Sequence, residues 1–487
     1  MHDTNIVAQG INDAWLKVIE KLNSQGVECA PRGKKNKELE NMSIKILNPK
    51  KRILTLPIRK ISLPFAFGEL LWYLSGRNDV KMMKYYSKMM TNFSDDGETL
   101  NSAYGYRIFG NHPMLPFNQW EFVVNKLQED KDSRQAIIHL HTPNNKKNSD
   151  EVCTLTLQFL IRDNKLDMVV NMRSNDIVWG FTYDVFSFTT FQELIANELG
   201  IDVGDYYHNA ASMHIYEKDY KYLSYIEGLG EDLLYSTKYD TEFDYGGITI
   251  FDPQLRALFD VESFYRCNID KDVVTPVDNK ALGIMRNVFN LYNTYKFKKN
   301  GKSEVIDMLE YDNIYHSVMR NYISGKSLDD SGMMIIEGCD GAGKTTFIND
   351  ILEFSPISHS ISFSKPSDDF DKQIYFHTAM MTGEIVLDRF FYSEIVYSEL
   401  FNRECKITRK DSHALENMLR YRGANLLYMD TDPLGCYGRL NKKDKGIFTL
   451  QDINRICSLY DDVFNESLLS PFNRRMRMSD AIDVKEE

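Results

Sequence analysis

Long apolar runs are missing from this sequence: nowhere does it carry the roughly 18–20 apolar residues in a row that crossing a bilayer requires. Its opening, MHDTNIVAQGINDAW, lacks the basic-then-apolar layout of a signal peptide. A cytoplasmic chain without a membrane partner is expected. Cysteine is sparse. The 7 cysteines are odd in number, run from Cys29 to Cys457 and form no CxxC pair, which argues against a disulfide framework or structural zinc and suits a reducing compartment. A basic excess is absent too: the formal net charge is -12, so there is no general nucleic-acid footprint and no stable nucleic-acid binding is expected. Anionic ligands must be met by local Arg and Lys clusters, which points to small phosphorylated substrates. Repeats and low-complexity tracts are also missing. What remains is a globular composition, 43% hydrophobic, 26% charged and 12% aromatic over 487 residues. That length exceeds one core and suits two or three domains.

Apolar spacing predicts a helix over 12–22 and alternation over 42–58 predicts a strand pair turned at Asn48-Pro49. Helices are expected over 64–74 and 118–129, strands over 135–140, 154–161 and 166–172, a helix over 186–199 ended by Gly200, and a strand over 206–216. The first domain, 1–235, thus reads as α+β. Residues 236–330 read as a partly helical extension, with helices over 281–297 and 303–322, closed by a linker of Gly325, Lys326, Ser327, Asp329 and Asp330. A second fold, 331–487, opens on a short apolar strand at 333–336 with further strands at 385–387 and 426–429, an α/β pattern expected to form a parallel sheet.

Between the 333–336 strand and the next helix stands Gly338-Cys339-Asp340-Gly341-Ala342-Gly343-Lys344-Thr345, followed by Thr346. This satisfies the P-loop pattern in the context the motif needs. Backbone N–H groups can cradle the phosphates of ATP, Lys344 can reach the β and γ oxygens, and the Thr345 hydroxyl can ligate Mg2+. Asp388-Arg389 after the 384–387 strand, and Arg439 in a basic stretch with Lys442, Lys443 and Lys445, resemble the thymidylate kinase family of nucleoside monophosphate kinases. The resemblance implies that Arg389 holds the acceptor phosphate and that the basic stretch forms a lid. Phosphoryl transfer, being mainly positioning and charge neutralisation, suits such a set.

In the first half, Glu69 lies in GELLWYLSG, Tyr104 in AYGYR, Arg134 in DSRQ, Cys153 in VCTLTLQF, Arg173 to Asp176 in MRSND, and His214 and Tyr216 in MHIY. Their order resembles thymidylate synthase and its hydroxymethylase relatives. The resemblance implies that a Cys153 thiolate attacks pyrimidine C6, making C5 nucleophilic toward the one-carbon unit of 5,10-methylenetetrahydrofolate. It implies that Glu69 and Tyr104 serve acid/base steps with Asp176 beside them, that Arg32, Arg134, Arg173 and Ser174 hold the phosphate, and that His214 and Tyr216 bind the ribose 3′-hydroxyl. Arg134 would cross the interface of a homodimer. Gln135 stands where the family has a second arginine.

Thymidylate synthases carry an asparagine at the position matched by Asp184 in GFTYDVF. A carboxylate opposes uracil O4 but accepts from cytosine N4, and a proton shared with N3 would activate C6, which resembles deoxycytidylate hydroxymethylase. The alternative is that Asp184 only caps the following helix. No tryptophan occurs between Asn78 and Asn101, where synthases pack folate, and this favours hydration of the transferred carbon over its reduction. The expected protein is a dCMP hydroxymethylase joined to a nucleoside monophosphate kinase. A dUMP-specific enzyme and a non-catalytic nucleotide-binding regulator stand as alternatives.

Overall fold

The computed structural model describes residues 5–142, 150–267, 277–298, 300–310, 313–326, 328, 330–354, 359–367, 370–440, 447–469 and 474–476. They fall into two compact units. The first comprises 1–55, 61–230 and 240–308, the second 56–60, 231–239 and 309–487. Among the described residues no helix is long and apolar enough to cross a membrane.

The first unit is built on β1 (Asn5–Ala8), β2 (Val27–Cys29), β3 (Asn36–Ile46), β4 (Ile137–His139), β5 (Thr154–Arg162), β6 (Lys165–Met172), β7 (Asn175–Asp176) and β8 (Asp202–Tyr216). The path β1-β3-β8-β6-β5-β4, with β2 on β3 and β7 on β8, makes a mixed sheet: β3 runs antiparallel to β8, whereas β6 and β7 run parallel to it. The β5–β6 hairpin turns at Asp163 and Asn164, both at positive φ (50° and 58°), the conformation that Asp and Asn tolerate best. The helix Leu63–Leu74 is buried on every side, started by Ser62, whose Oγ accepts from Phe65 N at 3.3 Å. The helix Gly180–Leu199 begins six residues before the expected start and ends on left-handed Gly200 (φ 67°).

Three expectations fail here. No strand pairs with β3 after Asn48-Pro49; residues 47–62 form no strand. Residues 52–59 are all buried, without the alternation of a half-exposed strand, and side chains meet backbone groups there, as where Thr55 N donates to Asn12 Oδ1 at 2.9 Å, while Arg52 is buried on Glu193 at 2.5 Å. β3 takes β1 and β8 as neighbours instead. Nor is 236–330 one extension: 240–308 belong to the first unit and 309–330 to the second. The helix Lys280–Phe297 sets Phe289 and Tyr292 against Tyr86, and Tyr86 OH donates to Glu262 at 2.6 Å, so this segment completes a core it could not form alone. The expected 303–322 helix is two, Gly301–Met308 and Ile314–Ser324, broken where Asn313 caps the second by accepting from Tyr315 N and His316 N. In the expected linker Lys326 pairs with Glu384 at 2.8 Å, while Ser327 and Asp329 lie outside the described residues.

The second unit holds β9 (Met333–Glu337), β10 (His359–Ser362), β11 (Ile385–Asp388), β12 (Asn425–Met429) and β13 (Arg474–Met476) in the order β10-β11-β9-β12-β13, every pair parallel. Its core packs Ile336, Val386, Leu427 and Met429 of the sheet against Ile453, Ile456 and Tyr460 of the helix Leu450–Glu466.

Candidate functional site

A cavity of about 800 Å3 opens in the first unit, and every site residue expected there except Arg134 lines it: Arg32, Glu69, Tyr104, Cys153, Arg173, Ser174, Asp176, Asp184, His214 and Tyr216. Their convergence follows from the sheet. β7 lies in register with the end of β8, Asp176 opposite His214, so the Arg173–Asp176 segment and His214 reach the same rim. Cys153 sits just before β5, where Arg173 N donates to its carbonyl at 2.9 Å. Arg173 Nη2 stands 3.5 Å from Cys153 Sγ and donates to Glu151 O at 2.8 Å, while Nε donates to Val152 O at 2.9 Å. Burial pushes the Cys153 thiol up, and the guanidinium charges of Arg173 and Arg32 pull the other way. Arg32 occupies a left-handed conformation (φ 54°) in the exposed turn Pro31–Gly33, a strained backbone at the mouth of the cavity.

Glu69 and Asp184 form the inner wall. Burial, with Asp184 as a like charge, pushes Glu69 up to about 8, and burial pushes Asp184 up to about 7, opposed by a hydrogen bond from Asn175. Asn175 Nδ2 donates to Asp184 Oδ2 at 2.7 Å. Asp184 is the fifth residue of its helix, past the positions from which a side chain caps, so the capping alternative is overturned. Tyr104 OH accepts from Thr154 Oγ1 at 3.0 Å, and its ring stacks 5.2 Å from Tyr73. His214 is 7% exposed, its ring edge-on to Tyr216 at 4.9 Å, and burial holds its imidazole below the usual range, hence neutral at pH 7. Asp176 accepts from Val178 N at 2.9 Å. Arg134 is exposed outside the cavity, with its carbonyl accepting from Gln158 Nε2 at 2.9 Å.

Sequence reasoning passed over Asn175, Tyr73 and an apolar rim of Met89, Met90, Phe93 and Trp179. Asn175 was legible as the amide between Ser174 and Asp176; the rim residues come from separate segments and carry no shared pattern. Phe93 and Trp179 are 45% and 36% exposed. That broad apolar rim beside a charged floor fits a flat pterin ring beside a nucleotide.

In the second unit, a cavity of about 620 Å3 is lined by Asp340, Gly341, Gly343, Lys344, Thr345, Thr346, Asp388, Arg389 and Arg439. The loop turns on Gly338, Gly341 and Gly343 at φ 143°, 82° and 92°. Ala342 is buried beneath it and Gly338 does not line the cavity. Lys344 is 6% exposed and folds back to donate to Gly338 O (2.7 Å) and Cys339 O (2.8 Å). Burial and the Arg389 charge lower its pKa. Arg389, left-handed at φ 66°, pairs with Asp340, and Arg439 Nε donates to Gly341 O at 2.6 Å. Lys442, Lys443 and Lys445 lie outside the described residues. A lysine and two arginines stand around the glycine loop at a helix start, with Thr345 and Thr346 exposed beside them.

A mixed sheet thus carries a cysteine, a buried carboxyl pair and an arginine rim around one cavity. Residues 13–226 match the sequence model of the Thymidylate synthase family, and this part of the chain is a domain of that family. "Deoxyuridylate hydroxymethyltransferase" of Bacillus phage SP01 is 37% identical over 218 residues, 42% of this chain and 57% of that protein. The chain thus spans little more than half of that relative's length. "Deoxycytidylate 5-hydroxymethyltransferase" of Enterobacteria phage T2 is 29% identical, covering 37% of this chain and 81% of its own. "Thymidylate synthase" of Bacillus licheniformis is 26% identical, covering 44% of this chain and 76% of its own.

Proposed function

We propose that the first unit hydroxymethylates C5 of a deoxypyrimidine monophosphate, with dCMP as its substrate. The observation that carries this reading is the convergence of Cys153, Arg173, Glu69 and Asp184 on one cavity. Arg32, Arg173 and Ser174 hold the phosphate, with Arg134 supplied by a second copy of the chain in a homodimer. Cys153, as thiolate, adds to C6; its proton leaves toward solvent, aided by the Arg173 charge 3.5 Å from Sγ. Glu69, uncharged near neutral pH, donates and accepts protons at the base's exocyclic group, and Tyr104, kept as the neutral phenol by burial, assists removal of the C5 proton to water by orienting that water with its hydroxyl. Bound 5,10-methylenetetrahydrofolate supplies carbon at the oxidation level of formaldehyde, and the Met89, Phe93 and Trp179 rim packs its ring. The relatives divide between uracil and cytosine; Asp184 favours cytosine, whose basic N3 shares the carboxyl proton while N4–H is accepted. Wild type is expected to release tritium from C5-labelled dCMP faster than from dUMP, and Asp184→Asn to flatten or reverse that ratio by about tenfold to a hundredfold in kcat/KM. A strong wild-type preference for dUMP overturns the cytosine assignment. Absence of dihydrofolate among the products distinguishes hydroxymethyl from methyl transfer.

A second reading rests on a separate observation, the glycine loop and Lys344 between β9 and its helix. We infer ATP- and Mg2+-dependent phosphorylation of a deoxynucleoside monophosphate there, with Thr345 on the cation and Arg389 on the acceptor phosphate. Incubating the protein with each nucleotide and ATP, then weighing the products by mass spectrometry, tests it: a mass gain of one phosphate supports it and none refutes it.

A further inference from the structure

We infer that Asn175 is a positioning residue that fixes the Asp184 carboxyl for base recognition and thereby sets the choice between cytosine and uracil. This deepens the transferase reading and rests on it.

Asn175 is a costly residue where it stands. It is 3% exposed, with its Nδ2 on Asp184 Oδ2 at 2.7 Å and 3.1 Å from Met172 Sδ, while its Oδ1 is buried without a hydrogen-bond partner. Leaving a buried acceptor unpaired costs free energy that an apolar residue beside Met172 would avoid. Packing alone therefore does not account for it. What the amide provides is a donor aimed at one carboxylate oxygen, in a place where space is short: a Cβ on Gly180 would stand 3.1 Å from Asn175 Nδ2 and 3.5 Å from Asp184 Oδ2. Gly180, Asn175 and Asp184 all line the cavity.

The consequence is chemical. With Oδ2 committed to accepting from Asn175, a proton taken up by Asp184 goes to Oδ1, the oxygen left for a ligand. There it faces cytosine N3, a far better proton acceptor than uracil O4, while a remaining lone pair of Oδ2 accepts from N4–H. Without the amide, either oxygen takes the proton and the carboxyl rotates, so both bases are met alike. The other titratable groups facing Asp184 are Glu69 and Tyr73 of the helix Leu63–Leu74, Tyr104, Cys153 and Tyr206 of β8. None is a cation, so the Asn175 donor is what opposes the upward push of burial on the carboxyl.

The test uses the full chain and two variants, Asn175→Ala and the isosteric Asn175→Asp, which preserves packing volume. Calorimetric binding of dCMP and of dUMP without folate is measured from pH 6 to 9, alongside tritium release from each nucleotide. The expected result is that both variants lose about tenfold of the wild-type preference for dCMP, and that the fall of dCMP binding at alkaline pH moves to higher pH. A purely structural Asn175 would weaken both nucleotides equally and leave that limb in place, which overturns the inference. Wild type that binds neither nucleotide and releases no tritium overturns the transferase reading itself and this inference with it. Wild type that is active, beside variants of unchanged selectivity, overturns the inference alone.

Discussion

At the scale of residues, the cavity's most informative feature is the pair of carboxyls whose ionisation burial disfavours. Glu69 stands near 8 and Asp184 near 7, against ordinary values of 4.5 and 3.8. Groups whose folded pKa is raised bind protons more tightly in the native than in the unfolded chain, so their contribution to stability is complete below about pH 4 and is lost as pH rises through 7 and 8. Each unit of displacement corresponds to about 1.4 kcal/mol. The free protein is therefore expected to lose a few kcal/mol of stability in the first unit between pH 5 and pH 8.5, and the Glu69→Gln, Asp184→Asn double variant to lose much less. Urea melts at the two pH values, followed by tryptophan fluorescence, check it. All 4 tryptophans, Trp15, Trp72, Trp120 and Trp179, belong to that unit. Equal pH dependence in both proteins would mean that the two carboxyls ionise freely in the empty cavity.

At the scale of elements, the glycine loop couples backbone conformation to the arrangement of charge. Gly341 sits at φ 82°, and a Cβ there would stand 2.4 Å from Cys436 O, a backbone atom that cannot swing aside. Gly341→Ala is thus strained in conformation, at about 1–3 kcal/mol, and displaces the carbonyl that accepts from Arg439. It is expected to cut ATP-dependent phosphorylation at least tenfold, and so is Lys344→Ala, which removes the cation that would neutralise the transferred group, while tritium release stays at wild-type level in both. Undiminished phosphorylation in both variants would count against the loop as a phosphate site. The same contrast shows what sequence makes legible. The loop could be read because its glycines, lysine and threonines are contiguous and chemically committed. The β5–β6 hairpin could be read because alternation and an Asp-Asn turn agree. The segment after Asn48-Pro49 could not: its apolar alternation reflects burial of an irregular chain whose polar backbone is met by side chains such as Asn12, a long-range fact absent from local pattern. The early start of the helix Gly180–Leu199 was hidden because Gly180 disfavours helix in isolation and Trp179 offers no side-chain cap. The rim of the first cavity was hidden for a similar reason, since Met89, Phe93 and Trp179 meet only in three dimensions.

At the scale of the whole molecule, the phosphate-binding role proposed for Arg134 decides how many chains the proposed transferase site needs. Arg134 does not line the cavity that holds Cys153, Arg32 and Arg173; its side chain is exposed. If a second copy supplies it, then Cys153→Ser and Arg134→Ala chains should each be inactive in C5 tritium release yet complement when mixed. In a closed two-fold dimer each Arg134 serves the partner's cavity. A hybrid of the two variants then has one cavity lacking both groups and one in which Cys153 of one chain meets Arg134 of the other. Random re-association of equal amounts makes about half of the dimers hybrid, each with one intact site of two, so about a quarter of wild-type turnover should return. Unfolding in urea, mixing and dialysis supply the exchange, and each variant treated alone supplies the baseline. ATP-dependent phosphorylation should stay unchanged in both variants before and after mixing, because neither substitution touches the second unit's loop. Recovery that fails to rise above the baselines, under conditions where wild type regains its turnover, would place Arg134 outside the site and leave phosphate binding to Arg32, Arg173 and Ser174 of a single chain.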